Sequence, residues 1–162
     1  MTTKTPRAGT LEVTMPSDRE IKMTRCFDAP RALVFDSMVK PELLKRWMLG
    51  PPGWTMAICE VDLRVGGGYR VVWRGTGPRE EFTVSGVYKE VAAPERFVNT
   101  ETMGNVETLQ TNVFTEANGR TTFTQTTLFA TREDCDATMK SGAGDGMDAC
   151  YDNLEDMLRK MA

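Results

Sequence analysis

The chain has 162 residues, 40% hydrophobic and 27% charged, with a net charge of −3 and a sequence pI near 5.1. That size suits one globular domain with a core of its own, and the acidic balance argues against a nucleic-acid surface, which needs a basic patch or stripe. The absence of histidine removes Ser-His-Asp and Cys-His triads, HExxH zinc sites and histidine acid–base chemistry together.

No run approaches the roughly 18 apolar residues of a membrane span, and the opening MTTKTPRAGTLEV lacks the apolar core of a secretory signal. The expected address is cytoplasmic. Cys26, Cys59, Cys135 and Cys150 show no CxxC pairing or metal-finger spacing, so they read as small, buried thiols. No cofactor and no metal are implied.

Residues 1–18 read as a polar arm with a short extended piece near Leu11 to Val13, ahead of one domain over 19–162. Glu20 to Phe27 alternates as a strand, with Ile21, Met23, Arg25 and Phe27 on one face. Asp28 is placed to cap a helix that Pro30 opens. Lys40-Pro41 breaks it before a second short helix with Leu43, Leu44 and Trp47 on one face. Gly50-Pro51-Pro52-Gly53 closes this elbow.

A meander of strands follows over 54–63, 68–74, 81–91, 96–101, 106–115 and 120–130. Short turn clusters between them predict antiparallel pairing, most strongly at Asn118-Gly119. Gly66-Gly67-Gly68 is one such turn; no GK[ST] follows it, so it is not a phosphate loop. Thr131 caps a final helix predicted to run unbroken to Met161. Gly142, Gly144 and Gly146 lie in it, which fits either close backbone approach to the sheet or a hinge.

The segments FDAPR, KRWMLGPPGW, DLRVGGGYR, SGVYKEV and SGAGDGM together resemble the START-like, SRPBCC-type domains. Within them they match the branch named for homologues of the activator of the heat-shock-protein ATPase. The resemblance covers about residues 18–161 and implies an α+β helix-grip fold: a curved antiparallel sheet around a long C-terminal helix, with a cavity between. Members often carry two adjacent tryptophans in the elbow, whereas here Met48 follows Trp47. The name implies a stress-response role. The activator itself, however, carries a further N-terminal domain for its ATPase, for which this chain leaves no room, so a chaperone partnership is disfavoured.

Alternation assigns Thr121, Phe123, Gln125, Thr127 and Phe129 to one face, and Glu107, Leu109, Thr111 and Val113 to one face of the preceding strand. Phe97, Asn99 and Glu101 share a face in the next, as do Phe82, Val84, Gly86 and Tyr88 in the one before it. Their apolar members point these faces inward. In a dry core Gln125, Thr111, Asn99, Glu101 and Glu107 would each cost about 1–3 kcal/mol unsatisfied. A ligand cavity answers that cost, with Trp54, Tyr69, Trp73, Phe82, Tyr88 and Tyr151 as aromatic walls. The alternative, that both glutamates sit at strand ends in solvent, stays open.

Arg25 either enters this cavity or snorkels at its rim; buried, it would need Glu101 or Glu107 and could anchor an anionic ligand head. Trp47 and Trp54 flank the mouth and Trp73 fills the wall. Met139 and Met147 offer adaptable surface, although helical methionines also serve as ordinary core. Asp145, Asp148, Asp152, Glu155 and Asp156 read as a solvated helix face. The expected function is therefore a container for a small apolar or amphipathic molecule. The alternative is a cyclase-, aromatase- or hydrolase-like enzyme using Glu101 or Glu107 as base, Arg25 as oxyanion partner and Tyr88 as proton donor. Whether two chains pair through a sheet edge is left open.

Overall fold

A computed structural model describes residues 11–161, apart from the Ala143 side chain. The first ten residues of the expected arm lie outside it. Its later part is a strand, β1 (Glu12–Ser17), hydrogen-bonded along β2 (Glu20–Phe27).

After β2 come α1 (Arg31–Val39) and α2 (Pro41–Trp47), and then six strands in succession: β3 (Thr55–Val61), β4 (Gly68–Arg74), β5 (Glu81–Ala92), β6 (Arg96–Met103), β7 (Val106–Ala117) and β8 (Arg120–Phe129). All eight join in one antiparallel sheet of order β1-β2-β8-β7-β6-β5-β4-β3. β2 and β3 thus sit far apart, and the α1–α2 elbow carries the chain between them. This is the helix-grip architecture.

Pro30 precedes α1 in extended backbone, and its carbonyl accepts from Leu33 and Val34. Asp28 does not cap the helix; it pairs with Arg120 at 2.7 Å, tying the elbow to β8. Lys40-Pro41 separates the helices as predicted. α1 buries Val34, Phe35 and Val39, and α2 buries Leu44 and Trp47. The Trp47 indole donates to the Ser37 carbonyl at 2.9 Å, which fixes the angle between the two helices.

The C-terminal helix is not continuous. α3 (Arg132–Lys140) is capped by Thr131, whose side chain accepts from the Asp134 amide; α4 (Ala143–Met161) follows. Between them Gly142 adopts φ +79°, a left-handed conformation that ends helices and suits glycine. The expected single helix fails there: i to i+4 spacing reads through one glycine, but the backbone does not.

One core joins α1, α2, α4 and the inner face of the sheet. Its densest part is aromatic: Phe114 lies 5.0 Å from Phe123 and 5.2 Å from Phe35, ring centre to ring centre, and Tyr151 stacks on Trp47 at 5.9 Å. Such contacts add about 0.5–1.5 kcal/mol each beyond burial. A smaller cluster of Ile21, Phe129 and Cys135 sits under α3. No disulfide joins the cysteines among the described residues.

Candidate functional site

Register decides what faces α4. Arg25 pairs with Phe123, Gln125 with Asn112, Asn112 with Phe97, and Asn99 with both Gln110 and Tyr88. Directly opposed residues share a face, so the inner face presents Arg25, Phe123, Gln125, Asn112, Gln110, Phe97, Asn99, Glu101 and Tyr88. For β2, β5, β6 and β8 this is the expected face. For β7 it is the other one. Thr108, Gln110, Asn112 and Phe114 are buried inward, while Leu109 is 37% exposed and Thr111 stands on the outer face with Val98 and Thr126. Thr111 and Glu107 therefore leave the site. Alternation on β7 misleads because the outward residues are the more apolar set.

The inward polar groups form a directed chain. The Gln125 amide donates to Asn112 Oδ1 at 2.9 Å, and Asn112 Nδ2 to Asn99 Oδ1 at 3.0 Å. Asn99 Nδ2 then donates to the Tyr69 hydroxyl at 2.9 Å and to Gln110 Oε1 at 3.2 Å. The Tyr69 hydroxyl ends on the Thr100 carbonyl at 2.7 Å. Gly86 makes this possible: a Cβ there would collide with the Tyr69 ring and the Thr100 carbonyl, so only glycine lets the ring lie across β5.

Glu101 continues the line. Its side chain bonds Gln110, and burial pushes its carboxyl above the ordinary range. Burial likewise drives the Tyr69, Tyr88 and Tyr151 hydroxyls well up, with Glu101 adding to the effect on Tyr69 and Tyr151. Tyr88 is 4% exposed and Tyr151 only 1%. Neither hydroxyl has a hydrogen-bond partner among the described residues. The one side-chain polar atom there that is both sealed and unpartnered is Arg25 Nε. Both tyrosine oxygens therefore open onto water-sized space.

Arg25 is fully buried, but neither Glu101 nor Glu107 is its partner. Its guanidinium bonds Asp148 at 3.1 Å, Asp152 at 2.8 Å and Glu155 at 3.1 Å, and also donates to the Asp148 carbonyl. Three of the five carboxylates expected to be a solvated helix face, Asp148, Asp152 and Glu155, instead pin α4 to β2. Spacing of i, i+4 and i+7 places all three on one stripe, a signal present in the sequence but without a visible partner.

The remaining expected residues scatter. Trp47 is wholly buried against Tyr151 and does not gate a mouth. Trp73 is buried in the main core, its indole donating to the Met48 carbonyl at 2.7 Å. Trp54 is half-buried and packs by Gly50 and Gly75. Phe82 touches Trp73 but is 40% exposed at the strand end. Met147 packs against the main core. Met139 instead lines a shallow pocket of about 170 Å³ with Val13, Ile21, Met23, Thr138, Gly144 and Asp145, beside the α3–α4 joint. Met23 is opposite Gln125, so this pocket adjoins the first donor of the amide chain. Among the described residues no acidic, cysteine or histidine group is arranged to hold a metal ion, and no helix is long and apolar enough to cross a membrane.

The family model for activator of Hsp90 ATPase homolog 1-like proteins matches residues 28–159. The chain belongs to this family. The match spans the elbow, the meander and α4, the elements that build the interior just described. Among solved structures, a protein from Rhodobacter sphaeroides is 27% identical with a TM-score of 0.86, over 94% of this chain and 100% of its own. A protein from Staphylococcus epidermidis, solved in solution, is 24% identical with a TM-score of 0.79, over 94% and 95%. One from Nitrosomonas europaea is 23% identical with a TM-score of 0.79, over 92% and 99%. The last two show likeness of fold. No curated protein matches.

Proposed function

We propose that the protein is a binding module that holds a small, mostly apolar molecule between the inner sheet face and α4. The observation that carries this reading is the pair of interior hydroxyls on Tyr88 and Tyr151 that lack a protein partner. Neither oxygen is sealed, so a guest with a hydroxyl or carbonyl group can take the hydrogen bonds that water otherwise makes there. Aromatic walls with a few convergent polar groups are the usual character of such sites. In this reading Tyr88 and Tyr151 contact the ligand, Tyr69, Asn99, Glu101 and Gln125 belong to the bonded polar line beside them, and entry is by the pocket under the α3–α4 joint. Arg25, Trp47 and Thr111, expected at the ligand from sequence, are left out. Arg25 is engaged by three carboxylates, so it serves neither as anionic anchor nor as oxyanion partner.

Native mass spectrometry of freshly purified protein, with the denatured mass as control, tests the reading. A retained small molecule that is lost in the double variant Tyr88→Phe/Tyr151→Phe supports it. Retention unchanged in the folded double variant contradicts it.

A further inference from the structure

The charge inventory of the interior restricts what the site takes. On the inner face Arg25 is the one buried cation among the described residues, and it is met by Asp148, Asp152 and Glu155 at 2.8–3.1 Å. Three carboxylates against one guanidinium leave it no unspent positive charge. Glu155 also faces Arg159, at 3.7 Å on the exposed side of the helix. Deeper along the sheet the polar groups are neutral amides and hydroxyls, except Glu101, which bonds Gln110 and acts electrostatically on Tyr69 and Tyr151.

The amide chain is also directed along itself. Each of Gln125, Asn112 and Asn99 donates to the next group along, so the amides do not converge on an incoming anion as an oxyanion cradle would. Available to a guest are the Tyr88 and Tyr151 hydroxyls, which both donate and accept. A carboxylate, sulfate or phosphate entering here would lose its hydration without meeting a cation, while approaching Glu101. Burying an unpaired charge is far costlier than burying a hydrogen-bonded hydroxyl.

We infer that the site selects uncharged, mostly apolar molecules with a hydroxyl or carbonyl handle, and that it excludes carboxylates of the same skeleton. This rests on the binding-module reading above and names the chemistry of its guest. The result is the opposite of what an interior arginine suggests from sequence.

The test uses two probes of one skeleton, 2-naphthol and 2-naphthoate, titrated calorimetrically into the full chain at pH 7. Naphthol binding at least tenfold tighter than naphthoate is the expected result, with Tyr151→Phe weakening naphthol several-fold. Glu101→Gln should narrow the ratio between the probes by favouring naphthoate. Naphthoate binding as tightly as naphthol, or more so, overturns the selectivity while leaving the container intact. No binding of either probe at millimolar concentration, together with a clean apo mass, overturns the container and the selectivity together.

Discussion

The two ends of the sheet interior are built on opposite principles. Toward α1, Phe35, Phe97, Phe114 and Phe123 pack ring against ring with no polar atom among the side chains. Toward β4 and β5, the inner face presents Asn112, Gln110, Asn99, Glu101, Tyr69 and Tyr88. One strand, β7, contributes to both, with Phe114 at one end and Asn112 and Gln110 further along. The aromatic end gives stability by excluding water; the polar end gives up that gain in exchange for directed hydrogen bonds and open hydroxyls. Apolar packing and directed hydrogen bonding are therefore carried by different regions of this fold, and substitutions should sort accordingly.

The largest effect is expected at the aromatic end. Phe123→Ala removes a fully buried ring at the centre of the cluster and should cost about 3–5 kcal/mol in chemical denaturation; a cost below about 1 kcal/mol would mean the packing is loose. Next is the clamp between the two ends. Arg25→Met should cost about 2–3 kcal/mol, less than the 3–5 of a fully buried pair, because Asp148 and Asp152 are half-exposed and can turn to water. A neutral outcome would place α4 on the sheet by apolar contact alone.

The smallest effect sharpens the polar end. The Glu101 carboxyl is pushed up by burial, so the folded state binds the proton more tightly than the unfolded chain does. Stability therefore falls as pH rises from the unfolded value near 4.5 through the higher folded value, and the loss is complete above it. Glu101→Gln should raise Tm slightly at pH 7, and the advantage should vanish below about pH 4. An advantage that is the same at both pH values would contradict the burial.

Much of the fold was legible because its signals are local. Lys40-Pro41, Thr131 and the glycine- and asparagine-bearing turns mark element ends that the backbone respects, and β4 runs over the expected Gly68–Arg74. The site was less legible because its interior is polar. On β7 the hydrophobicity rule chose Leu109 and Val113 as inward, when the true inner residues include Gln110 and Asn112. A better signal was present in the turns. Gly104-Asn105 and Asn118-Gly119 are two-residue connections, joining Met103 to Val106 and Ala117 to Arg120. Counting outward from either puts Asn112 on the face of Phe97 and Gln125, whatever its polarity.

Two features escaped for other reasons. The α3–α4 break depends on the backbone angle of Gly142, which helical spacing does not report. The partners of Arg25 lie more than 120 residues away in sequence, and three carboxylates on a helix stripe look identical whether they meet water or a buried guanidinium. Of the family's general design, the helix-grip fold was readable; which inward groups find partners was a matter of three-dimensional pairing.

The most direct measurement is the electron density around the Tyr88 and Tyr151 hydroxyls in a crystal of freshly purified protein. The account predicts ordered non-protein atoms, ligand or water, at about 2.6–3.2 Å from each oxygen, beneath α4. Both hydroxyls bonded instead to protein atoms, with α4 closed onto the sheet and no space between, would contradict it.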